Sequence, residues 1–146
     1  MRTLLLLAAL AAAPVPSAAA DVLAPYVVDG DAIREPIGNA RGEPGRGRAL
    51  VLAREPANCL LCHAVPDRDI RFAGDVGPSL AGVGARLTAA QLRLRIVDST
   101  LRDRDSMMPS YYRVDGLHAV APAWRGRPIL DAQQVEDLVA FLATLR

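Results

Sequence analysis

Only two cysteines occur in this chain of 146 residues, and they belong to one short run, Cys59-Leu60-Leu61-Cys62-His63. No other feature constrains the fold as strongly. Joined to each other, the two sulfurs would close too small a loop to stabilise a domain. A dithiol redox pair of the thioredoxin type needs a βαβ setting, and no strand pattern precedes these residues. Zinc could draw on Cys59, Cys62, His63 and His118, but adjacent Cys62 and His63 are poorly placed to share one tetrahedral ion. A second C-x-x-C is also missing. The remaining use of C-x-x-C-H is covalent attachment of a c-type haem. Two thiols at this spacing reach the two vinyl groups of a porphyrin and form thioethers, and the adjacent histidine is delivered to the iron as proximal ligand.

Composition agrees with a cofactor-filled core. The chain has only six aromatic residues (2 Phe, 1 Trp, 3 Tyr) although half of it is hydrophobic. Its length fits one domain. All 17 basic residues are arginine, the formal charge is +1, and the signs are interspersed. That distribution argues against a nucleic-acid binder, which concentrates basic residues on one face.

Residues 1–20 read as a secretory signal peptide: Arg2, an apolar run from Leu4 to Ala13, then small residues ending at Ala20. The run is about ten residues long, short of the ~20 that cross a bilayer. Cleavage after Ala20 predicts an exported, periplasmic chain without a membrane span. It would carry 16 arginines (17 less Arg2) against 16 acids. A neutral chain without lysine favours an apolar, stable interface over charge-steered docking.

Residues 21–44 are rich in Gly, Pro and charge, and predict an irregular arm over the surface of a domain spanning 45–146. Arg46 to Arg54 suits a short helix. Thr88 and Gln91 have capping-box spacing before the stripe Leu92, Ile96 and Val97. Thr100 to Arg127 is irregular. Asp131 then caps a final helix with Val135, Leu138, Val139, Leu142 and Leu145 on one face. Strand-type alternation is almost absent, so the expected fold is all-α: a small helical domain wrapped around one covalent haem c.

An axial histidine usually gives its other ring N–H to a fixed acceptor. Gly77-Pro78, shortly after His63, is placed to supply a backbone carbonyl, here that of Pro78. For the sixth ligand the candidates are His118, Met107 and Met108. A lone methionine is ordinarily core filler, but both of these stand in the polar run Asp105-Ser106-Met107-Met108-Pro109-Ser110. Met108 precedes Pro109, which holds its backbone extended and presents its side chain from a loop. Met108 is therefore favoured, and whether Met107 can replace it stays open. Methionine ligation raises the reduction potential and suits electron transfer. His118 reads as a structural or surface residue.

With C-x-x-C-H, a Gly-Pro turn, a Met-Pro loop and a C-terminal amphipathic helix in this order, the chain resembles the monohaem class I cytochromes c. Gly77-Pro78-Ser79-Leu80, Gly82-Val83-Gly84-Ala85-Arg86 and Met108-Pro109-Ser110-Tyr111-Tyr112-Arg113 narrow the likeness. With the tail from Gly126 to Leu142, these blocks are similar to SoxX, the small cytochrome subunit of SoxAX complexes in bacterial thiosulfate oxidation. The resemblance covers residues 35–146. It implies covalent haem on Cys59 and Cys62, iron ligation by His63 and Met108, and the Pro78 carbonyl on His63. It further implies Tyr111, Tyr112 and Arg113 near the haem edge, and a helix contact between Gly47 and Phe141.

The family also implies a function. A SoxAX complex joins thiosulfate oxidatively to a cysteine of a SoxYZ-type sulfur carrier, and the bond-making haem belongs to the partner, SoxA, with a cysteine-derived ligand. This chain has no third cysteine. The expectation is a redox subunit, without catalytic residues of its own, of an L-cysteine S-thiosulfotransferase complex. It would take electrons from the SoxA-like partner and pass them to a soluble cytochrome. A free-standing periplasmic electron carrier of the same fold is the alternative, and a thiol-redox or metal-binding module a remote one.

Overall fold

The described residues of the computed structural model run from Leu23 to Arg146, and the expected leader lies outside them. Four helices form the frame: α1 (Pro44–Leu52), α2 (Val83–Arg86), α3 (Ala89–Asp98) and α4 (Ala132–Thr144). Irregular segments with short 3-10 turns join them, and the described residues contain no strand beyond one isolated bridge, Asp29 to Ala32. The fold is the expected all-α one. The Asp131 carboxylate accepts the Gln134 N–H at 2.7 Å, and the Gln134 side chain accepts the Asp131 N–H at 3.0 Å. Thr88 and Gln91 repeat this reciprocal cap on α3. The first helix starts two residues before Arg46, because the Glu43 carboxylate accepts the N–H groups of Gly45 and Arg46. Pro44 costs nothing at a position whose N–H would have no helical partner.

The expected contact between Gly47 and Phe141 is where α1 crosses α4. A Cβ on Gly47 would stand 1.9 Å from the Asp137 carbonyl oxygen and 2.7 Å from the Phe141 Cβ. Only glycine lets the two backbones come that close. Beside it, Arg46 donates twice to the Asp137 carboxylate, at 2.7 and 2.8 Å. Burial alone would raise the Asp137 carboxyl, but hydrogen bonds from Arg46, the Glu43 N–H and Gln133 outweigh it and hold the group below the usual carboxylate range. Against α4 also lies α3, with Leu92, Ile96 and Val97 buried as expected and Leu94 fully enclosed as well.

The segment before α1 is irregular, as expected, and mostly exposed, but it sends two side chains into the core. Ile33 and Ile37 are each only 1% exposed. A buried ion pair holds them there: Arg93 of α3 donates to both oxygens of Glu136 of α4, at 2.6 and 2.8 Å. The same Arg93 donates to the Ile33 carbonyl at 2.7 Å, and Glu136 accepts the Ile37 N–H at 3.0 Å. A buried ion pair is tolerable only when its remaining hydrogen-bonding capacity is used, and here the arm's backbone uses it. The pattern of helical periodicity carried no sign of this node, since both charges sit among the polar positions of their helices.

Candidate haem site

Asn58 adopts a left-handed conformation, φ 48°, which asparagine tolerates better than most residues. A 3-10 turn follows at once, Cys59–Leu61, and the N–H groups of Cys62 and His63 both donate to the Cys59 carbonyl, at 3.2 and 3.0 Å. This tight winding brings Cys59, Cys62 and His63 to one cavity. Of the two leucines between the cysteines, Leu60 packs back against the core and Leu61 is exposed.

The His63 Nδ1 lies 2.7 Å from the Pro78 carbonyl oxygen, the contact expected from the spacing. A carbonyl can only accept, so Nδ1 carries the proton and Nε2 keeps its lone pair free for a ligand bond. Gly77 supplies what the sequence did not reveal. A Cβ there would meet His63 Cε1 at 2.4 Å and Nδ1 at 2.7 Å, so the ring packs on bare backbone. Hydrogen bonds from Gly77 N–H to the Cys62 carbonyl and from Leu80 N–H to the Ala64 carbonyl, each 2.8 Å, clamp the brace to the motif.

The cavity has a volume of about 640 Å³ and is walled largely by apolar side chains from all four helices, among them Val51, Val83, Leu92, Ile96, Leu138 and Leu142. That is the size and character of a cofactor pocket. Met108 lines it and packs against the core, while Met107 sits at its margin, 78% exposed. His118 is exposed and does not line the cavity, in keeping with a surface role.

Of the three residues expected at the haem edge, only Tyr111 lines the cavity. Its hydroxyl donates to the Ala57 carbonyl at 3.0 Å, just ahead of the cysteine turn, and burial pushes the phenol up. Contrary to the expectation, Tyr112 and Arg113 do not line the cavity. Neighbouring side chains leave the backbone on different sides as this segment passes α3, so Tyr112 turns away. Its hydroxyl accepts the Ala24 N–H at 2.9 Å and its ring meets Tyr26 at 6.2 Å between centroids. Arg113 binds Asp98 and the Gly116 carbonyl instead.

Sequence reasoning also passed over Arg86, Arg95 and Arg102, which line the cavity. Burial, then the nearby charge of Arg102, pushes the Arg95 pKa down, so an anionic edge on a bound group would be welcome there. A covalent haem fits this donor set: two thiols, an imidazole with its coordinating nitrogen free, a thioether, apolar walls and arginines for carboxylates. A reactive dithiol does not fit. Burial pushes the Cys59 thiol up to about 11, whereas redox-active thiols are held low. Nor do the described residues gather three or more His, Cys, Asp or Glu side chains in a group able to hold a metal ion.

The cytochrome c family model matches residues 45–146, and the chain belongs to the cytochrome c family. With a single C-x-x-C-H it is a monohaem cytochrome binding haem c covalently. Among solved structures it is similar to a chain of SoxXA from P. pantotrophus, at 34% identity over 82% of this chain and 93% of that chain, with a TM-score of 0.75. It is also 30% identical over 95 residues, 65% of its length, to a protein of Lysinibacillus sphaericus (strain C3-41) named 2-C-methyl-D-erythritol 4-phosphate cytidylyltransferase. The chain spans only 37% of that relative, whose name describes the whole protein.

Proposed function

We propose that this cytochrome is the electron-transferring subunit of a periplasmic SoxAX-type complex, with His63 and Met108 as the two axial ligands of its haem. The observation that carries the reading is that His63, with its Nε2 free, and Met108, from a separate segment, line one cavity. With His63 and Met108 both held on its iron, a bound haem would leave no position for substrate and would supply outer-sphere electron transfer. The likeness to SoxXA supports the particular complex.

In that complex a sulfur–sulfur bond forms between thiosulfate and the cysteine of a SoxYZ-type carrier, the thiol proton leaves, and two electrons are released. The bond-making step belongs to the SoxA-like partner, since this chain has no third cysteine. This subunit passes the electrons one at a time to a soluble cytochrome. Its own residues hold the cofactor, fix the imidazole tautomer through Pro78, and keep water from the apolar walls. Export fits the reading, because bacterial haem attachment to C-x-x-C-H takes place outside the cytoplasm.

The test is co-purification of the full chain, produced with a cytochrome c maturation system, with a SoxA-like subunit, followed by thiosulfate-dependent reduction of its haem in the presence of the carrier. A stable heterodimer and reduction are expected. A monomer that binds no such subunit would identify a free-standing carrier instead. A pyridine haemochrome spectrum without covalent haem would end the cytochrome assignment.

A further inference from the structure

Two serines surround the backbone of Met108. The Ser99 hydroxyl, at the end of α3, lies 2.5 Å from the Ser106 hydroxyl and 3.3 Å from the Met108 carbonyl oxygen. The Ser106 oxygen accepts the Met108 N–H at 3.3 Å. Counting protons fixes the directions. Met108 N–H donates to Ser106, the Ser106 O–H donates to Ser99, and the Ser99 O–H donates to the Met108 carbonyl. Each hydroxyl gives one proton and accepts one, so the three bonds form a closed ring whose members polarise one another. Ser99 is buried at 8% exposure, away from competing water. Pro109 stiffens the backbone on the far side of the same residue.

From this ring we infer that Ser99 and Ser106 are positioning residues that hold Met108 as the haem ligand. The inference rests on the assignment of Met108 proposed above. The ring gives the two serines a task in a loop whose neighbouring thioether, Met107, is exposed and has neither backbone group in the ring. It also gives a physical reason why one of two consecutive methionines is presented to the cavity: the clamp grips the N–H and carbonyl of Met108, which fixes the direction in which its Cβ leaves the backbone.

The test uses the full-length, haem-loaded chain with Met107→Leu as reference, so that the neighbouring thioether cannot stand in. The readouts are the ferric sulfur-to-iron charge-transfer band and the reduction potential, with covalent haem content and helical circular dichroism as controls. Adding Ser99→Ala or Ser106→Ala should raise the fraction of molecules lacking the band roughly fivefold, the effect of losing one hydrogen bond, and lower the potential. Ser106→Thr keeps the hydroxyl and should restore both. Ser106 is only partly buried, so its variants keep the test readable if Ser99→Ala does not fold. Band and potential equal to the reference in the alanine variants would overturn the clamp, as would equal losses in Ser106→Ala and Ser106→Thr. A band that survives Met108→Leu would overturn the ligand assignment itself.

Discussion

Cys59, Cys62 and His63 reach the cavity from one tight turn, braced by a carbonyl fifteen residues further along the chain. Met108 reaches the same cavity from a loop whose ends are joined only through tertiary contacts. Asp98, fully buried, binds Arg113 at 2.5 Å and the Thr100 hydroxyl at 2.6 Å, and so closes the base of that loop. N–H groups of Tyr111 and Tyr112 donate to the carbonyls of Ile96 and Val97, at 3.3 and 3.2 Å. One side of the cavity is thus fixed by local winding and covalent chemistry, and the other by hydrogen bonds that must all form together. The Met108 side is the more easily loosened, because losing a base contact frees the whole loop while the histidine keeps its turn.

Four changes would break or sharpen this contrast. The largest effect belongs to the local side: replacing both Cys59 and Cys62 by serine should abolish covalent haem, seen as loss of haem after acid–acetone extraction. Retained haem would contradict the thioether assignment. Next, Asp98→Ala leaves Arg113 without its carboxylate and opens the loop, at about 3 kcal/mol in denaturant unfolding. The charge-transfer band should vanish while covalent haem stays, and a full band would place the weakness elsewhere.

Third is Gly77→Ala, which pushes a methyl group into the His63 ring and should destabilise by about 1–3 kcal/mol. Its mark is a disturbed histidine signal with the charge-transfer band retained, the reverse of the Asp98 variant. The smallest effect lies outside both sides, at the crossing of α1 and α4. The folded Asp137 carboxyl is held low, so its stabilisation is complete above the unfolded value of about 4 and is lost as pH falls through the lower folded value. Asp137→Asn should therefore flatten the loss of stability below pH 4 in acid titrations and leave the haem spectrum unchanged. A variant as acid-sensitive as the parent would show that other carboxylates carry the effect.

What could be read ahead of the structure follows the same division. The cysteine turn, the Pro78 carbonyl, the Thr88–Gln91 capping box, the Asp131 cap and the final amphipathic helix depend on residues close in sequence, so spacing revealed them. Gly47 with Phe141 was legible only through the resemblance to class I cytochromes, since nothing local marks a contact between the first and last helices. Tyr112 and Arg113 were placed with Tyr111 by the resemblance alone, and a shared motif says little about which side of the chain each side chain leaves. Arg93 and Glu136 drew no notice, since nothing close in sequence marks them as a buried pair, and the arm they anchor looked like surface coil.

By itself the sequence determined the cofactor chemistry: two thiols and an imidazole within five consecutive residues, with too few aromatic rings to fill a core otherwise. It determined the helices as well, through caps and periodicity that act within a turn or two. Only the tertiary structure decided how Met108 is held, which tyrosine faces the cavity, and why Ile33 and Ile37 of the N-terminal segment join the core. Those outcomes depend on hydrogen bonds between groups far apart along the chain. Such bonds form only once the helices have packed, and no local pattern records them.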